Sequence, residues 1–138
     1  GVRGQLRSAA YEDIADLSQL FSRLETRLRL KARAMTEENI LPASECQTMP
    51  EVRAGVDAMD RMLVELLVTR FTYMDAAARI KETRDSVRDE GRKAEVLENV
   101  RKLAEQSGLP TGLTDQLWET LVETSIAFEF DEWDATRK

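Results

Sequence analysis

Apolar side chains recur along this chain at helical spacing, and no stretch alternates as a half-buried strand does. The longest helical pattern runs from Pro50 to about Glu82. A heptad places Val52, Met59, Leu66, Tyr73 and Ile80 at one core position and Val56, Leu63, Arg70 and Ala77 at the other. Such a helix extends about 50 Å, which in a small domain predicts pairing with a partner chain. Thr48 fits an N-cap, with Pro50 in the first turn and Glu51 three residues after the cap. A break is expected at Thr83–Asp89 and a second helix from about Glu90 to Gln106, with Val96, Val100, Leu103 and Ala104 inward. Ser107-Gly108-Leu109-Pro110 stops it, with Gly at C′ and Pro beyond. A third helix starts near Thr111–Thr114 and continues to about Trp133, with a stripe of Leu113, Leu117, Leu121, Thr124 or Ser125, and Phe128.

Upstream, residues 11–34 read as an amphipathic helix. Ile14, Leu17, Phe21, Leu24 and Leu28 follow one another at spacings of 3, 4, 3 and 4. Residues 1–34 carry a charge of +3, whereas the whole chain carries −6. That shift marks a boundary, and Met35 would serve as a natural chain start. The expected organisation is an N-terminal helical extension or fusion segment at 1–34, a linker at 35–49 and a domain at 50–138.

Composition narrows the chemistry. The 138 residues hold no histidine and one cysteine, Cys46. A Ser-His-Asp triad, a histidine base, a His/Cys zinc site and an intrachain disulfide are therefore all excluded. The lone thiol fits a reducing compartment. The acidic balance argues against nucleic acid or an anionic membrane as partner. No apolar run approaches the ~20 residues of a membrane helix, and the first residues lack a signal-peptide pattern, so a soluble cytoplasmic protein is expected.

One residue breaks the heptad of the long helix. Arg70 occupies a core position between Leu63, Leu66, Tyr73 and Ala77. An unpaired guanidinium there is costly, so an anion should meet it, either a protein carboxylate or a ligand. Lys81 lies eleven residues on, on the same face and ~16 Å along the axis. Two cations on one face can lean toward a small dianion between them, although Lys81 alone reads as solvated surface. Arg53 precedes Arg70 by ~25 Å of helix and can share a ligand with it only if the long helix pairs antiparallel with its copy. On the third helix, Ser125 and Glu129 form an i, i+4 pair bordering the apolar stripe. A carboxyl against such a face tends toward a raised pKa. The plainer reading of Glu129 is a solvated acid in the tail Glu129, Asp131, Glu132, Asp134.

With these residues in view, Val52-Arg53-Ala54-Gly55-Val56-Asp57-Ala58-Met59-Asp60, Leu63 to Leu67, Arg70, Ala76 to Lys81 and Val87 to Arg92 resemble the all-helical chorismate mutase family. Gly108-Leu109-Pro110 followed by Trp118, Leu121, Val122 and Ser125-Ile126 does so too. The resemblance spans roughly residues 50–133. It implies an all-α fold in which three-helix protomers form an intertwined homodimer with two shared sites, an extra N-terminal helix lying outside it. It implies chorismate as substrate, conversion to prephenate, and no cofactor or metal. Carried over by position, Arg53 of the second chain, Arg70 and Lys81 bind the substrate carboxylates, and Lys81 also reaches the ether oxygen. Asp89 accepts from the ring hydroxyl, Arg92 supports the site, Ser125 lines it, and Glu129 faces the ether oxygen opposite Lys81. Glu129 stands where many bacterial relatives have Gln, and Lys93 where many have Glu. A Glu129 that must donate a hydrogen bond has to be protonated, so activity is expected to decline as pH rises. The rival readings are an isochorismate-pyruvate lyase, a related enzyme with the same cationic clamp, and a non-catalytic helical dimerisation module.

Overall fold

The computed structural model describes residues 17–28 and 40–138. Four helices account for most of them: α1 over residues 17–28, α2 at Met49–Ile80, α3 at Glu90–Ser107 and α4 at Leu113–Ala135. Two short 3₁₀ turns lie at Ala43–Glu45 and Arg84–Val87, and there is no strand among the described residues. None of these helices is long and apolar enough to cross a membrane. The amphipathic segment expected over 11–34 is helical where it is described, and its remainder lies outside the described residues, as do residues 35–39 of the linker.

Local chemistry explains the helix ends. Glu51 N–H donates to Thr48 Oγ1 (3.4 Å), while Glu51 Oε2 accepts from the backbone N–H groups of Thr48 (3.2 Å) and Gln47 (2.7 Å). This is a capping box, and it satisfies donors that a helix start leaves without partners. α2 ends two residues earlier than expected, and Thr83 is already extended at φ −122°. Asp89 caps α3, its Oδ1 accepting from Arg92 N–H at 2.9 Å. Gly108 closes α3 in the left-handed region at φ 74°, and Leu109 N–H reaches Ala104 O at 3.1 Å. That is a Schellman closure, which glycine adopts without a Cβ penalty.

The chain divides into two compact units, Gly1–Val64 and Glu65–Lys138, with the border inside α2. In the first unit Ala58 and Met62 are buried, whereas Val52, Val56, Met59 and Leu63 are exposed. In the second unit α3 and the Arg84–Val87 turn pack on α4. Its core is Val87, Val122 and Ile126, flanked by Val96, Trp118, Phe130 and Trp133. Leu66, Tyr73 and Ile80 of the heptad are exposed there as well.

Two inward assignments are corrected. Leu103 of α3 is 60% exposed, although Ala104 beside it is buried. On α4, Leu113 and Leu117 are exposed, while Thr114, Val122, Ile126, Glu129 and, of the two alternatives Thr124 and Ser125, Ser125 are buried. The inner face of α4 is thus rotated by one residue, about 100°, from the leucine stripe. On that face the large rings of Trp118 and Trp133 pack with the cluster of Val87, Val122 and Ile126.

A candidate anion-binding site on the second unit

The second unit contains a cavity of ≈ 330 Å³ that α2, the 3₁₀ turn, α3 and α4 all line. The size suits a small-molecule ligand. Met74, Ala77, Val87, Val96, Val122 and Ile126 form apolar walls, and Arg70, Lys81, Asp89, Arg92, Lys93, Ser125 and Glu129 supply the polar groups. Six of the seven site residues expected from the sequence therefore meet in one place. Arg53, the seventh, is exposed on α2 in the first unit and is not among the lining residues.

Arg70 is the most telling group. Its Nη1 donates to Ser125 Oγ at 2.7 Å, and Ser125 Oγ donates in turn to Leu121 O at 2.6 Å. Among the described residues no carboxylate pairs with Arg70. Burial first, and the nearby Arg92 second, hold its pKa below the usual arginine value. Two guanidinium groups that repel one another across an apolar-walled cavity, with no carboxylate on the inner one, make a seat for an anion.

Lys81 and Glu129 face each other across a narrow gap. Lys81 Nζ stands 2.5 Å from Glu129 Oε1 and also donates to Val87 O at 3.3 Å. Glu129 is only 4% exposed, so it is not a solvated acid of the tail. Its Oε1 has an ion-pair partner but no hydrogen bond of proper angle. A buried acceptor left in that condition has unused hydrogen-bonding capacity, which a ligand can take up. Asp89 spends Oδ1 on capping α3. The Arg92 side chain is largely exposed and meets Glu95 at 3.2 Å.

Lys93 behaves unlike the glutamate expected of many relatives at that position. Its Nζ is gripped by Glu119 Oε1 (2.8 Å) and Glu123 Oε1 (2.7 Å), and these hydrogen bonds raise its pKa. Arg88 adds a two-pronged contact to Glu123 at 3.1 and 2.8 Å. Together Arg88 and Lys93 hold the Glu123 carboxyl down to about 2. Glu119, Glu123 and Arg88 had not stood out in the sequence. Only the i, i+4 spacing of the two acids on α4 hinted at a paired role.

A larger cavity, ≈ 650 Å³, lies in the first unit, bordered by Ile40–Ala43, Cys46 and the α2 residues Val52, Gly55, Val56, Met59 and Asp60. Among the described residues no cationic side chain lines it and Asp60 is the one charged group, so the smaller cavity has the chemistry suited to an anion. Among the described residues no cluster of three or more acids and cysteines could hold a metal ion.

The family model described as "Chorismate mutase type II" matches residues 52–130, more than half of the chain. The isochorismate pyruvate lyase of Pseudomonas aeruginosa is 27% identical over 93 residues, which cover 67% of this chain and 92% of that protein.

Proposed function

The chain belongs to the chorismate mutase type II family, and from that premise we propose that it rearranges chorismate to prephenate in the cavity built around Arg70. The reaction is a pericyclic [3,3] shift and needs no nucleophile, cofactor or obligatory proton transfer. The protein has two tasks: to fold the flexible enolpyruvyl arm over the ring, and to stabilise charge that grows on the ether oxygen as its C–O bond breaks. Arg70, oriented by Ser125, binds one carboxylate. Lys81 binds at the ether oxygen, Asp89 accepts from the ring hydroxyl through the oxygen not used for capping, and Arg92 adds positive potential. Glu129 faces the ether oxygen from the other side, beside the Lys81 ammonium. The observation that carries the reading is the inner arginine with no carboxylate of its own beside the cavity.

Arg53 enters this reading through a second copy of the chain. The exposed heptad residues Val52, Val56, Met59, Leu63, Leu66, Tyr73 and Ile80 form a long apolar stripe on α2. Burying such a stripe against its antiparallel copy supplies the dimer, at roughly 25 cal/mol per Å² of apolar area removed from water. It also carries Arg53 of one chain toward Arg70 of the other.

The second reading, cleavage of isochorismate to salicylate and pyruvate, is favoured by the similarity to the lyase. Asp89 speaks for the mutase, since an acid there suits the hydroxyl of chorismate. The test is incubation of the full chain with each substrate in turn. Prephenate from chorismate supports the mutase; salicylate and pyruvate from isochorismate, with chorismate untouched, replaces it with the lyase. Loss of neither substrate refutes both.

A further inference from the structure

Lys81 sits one residue beyond the last residue of α2, where helices fray and carbonyls lack partners. The backbone here is nevertheless held from outside the helix. Arg137, two residues past the end of α4, donates through Nη2 to Lys81 O (2.6 Å) and through Nη1 to Ala78 O (3.1 Å). Trp133 Nε1 donates to the same Lys81 carbonyl at 3.1 Å. The guanidinium of Arg137 lies 4.2 Å from the centre of the Trp133 ring, so the two donors brace each other. Three residues on, Arg84 is held by Asp134 at 2.9 and 3.3 Å and stacks 4.6 Å over Phe130. The end of α4 and the residues after it thus clasp the chain on both sides of Lys81.

We propose that Trp133 and Arg137 form a latch that positions Lys81, fixing the backbone from which its ammonium reaches Glu129 and the cavity. This rests on the reading of Lys81 as the cation at the ether oxygen. A planar fork can satisfy two carbonyls of the final helical turn at once, which a lysine ammonium does less specifically. With the main chain fixed, the side chain has less freedom to lose when it meets a ligand, and small displacements at a reacting centre cost rate. Arg137 reaches the cavity only through the Lys81 carbonyl, Trp133 also packs on the Val87, Val122 and Ile126 cluster that walls it, and neither is itself a lining residue, so both are positioning residues.

The test measures amide hydrogen exchange and steady-state kinetics with chorismate for the full chain, for Arg137→Ala, and for Trp133→Phe, which keeps an aromatic ring but removes the indole donor. For Arg137→Ala the Lys81 amide, now bonded to Ala77 O at 2.9 Å, is expected to exchange about tenfold faster, the loss of a net hydrogen bond or two. kcat is expected to fall roughly tenfold with KM within twofold, because the clamp is disturbed where charge develops. Trp133→Phe should shift both readouts the same way by a smaller factor. Unchanged exchange at Lys81 in both variants overturns the latch. Faster exchange with unchanged kcat overturns its positioning role. Failure of the parent chain to act on chorismate strikes the proposed function instead, and the exchange measurement then decides the latch alone.

Discussion

Replacing Arg70 with methionine should separate a binding group from a structural one. In the chain as it stands, the guanidinium makes one hydrogen bond, to Ser125 Oγ, and has burial and Arg92 acting against its charge. Arg70→Met removes that hydrogen bond, worth about 1 kcal/mol net. Ser125 Oγ keeps its bond to Leu121 O, so no buried hydroxyl is stranded. Against this, methionine adds flexible apolar volume beside Met74 and relieves the repulsion with Arg92, a gain of similar order. The expected change in stability is therefore within about 1 kcal/mol of zero, or a few degrees in Tm for a domain of this size. Binding should behave differently. A truncated arginine–carboxylate contact in a water-poor site costs about 2–5 kcal/mol, or roughly 30- to 5000-fold in kcat/KM. Thermal unfolding and chorismate turnover, on the same preparations, read the two quantities. A variant that melts several degrees lower while turnover drops only severalfold would mean that Arg70 holds the fold together and that the cavity is not an anion site.

Three further outcomes follow from the same geometry. Inactive Arg53→Ala and inactive Arg70→Ala chains, mixed under conditions of proven subunit exchange, should regain activity through one intact site per heterodimer, and no recovery counts against sharing. The Glu123 carboxyl is depressed on folding to about 2; its stabilising share is complete above the unfolded value near 4.5 and vanishes as pH falls through about 2. The Tm difference between the parent and Glu123→Gln should accordingly shrink between those limits, and a constant difference would show that Arg88 and Lys93 do not act on its charge. Gly108→Ala should cost about 1–2 kcal/mol in denaturant unfolding with activity retained, because φ is 74° and nothing lies within 4 Å of the added Cβ, leaving only the backbone conformation to object.

Much of the fold was legible along the chain because its signals act over three or four residues. Thr48 and Glu51 announce the start of α2, and Asp89 sits where α3 begins. Gly108 with Pro110 ends α3, and the heptad declares one long helix. The candidate site was legible for a related reason. A charge at a position whose neighbours are apolar needs an explanation wherever the helix goes, and Arg70 broke the pattern visibly. Lys81 and Glu129 then fell into place by spacing and by family likeness.

Other features depended on how a helix is turned about its own axis, which no local rule fixes. Leu113 and Leu117 look inward on a helical wheel, yet the face of α4 that packs is the one where Trp118 and Trp133 meet the cluster of Val87, Val122 and Ile126, and Glu129 is buried. Lys93 reads as one more surface cation until α4 delivers Glu119 and Glu123 to it across some thirty residues of chain. Arg137 reads as tail until it meets the carbonyl of Lys81. The sequence by itself determined where helices begin and end and which cation lacks a local counter-ion, since both depend on neighbours within a turn or two. Tertiary packing alone decided which acids answer which cations and where an opening remains, because those outcomes require distant segments to be brought within a few ångströms of one another.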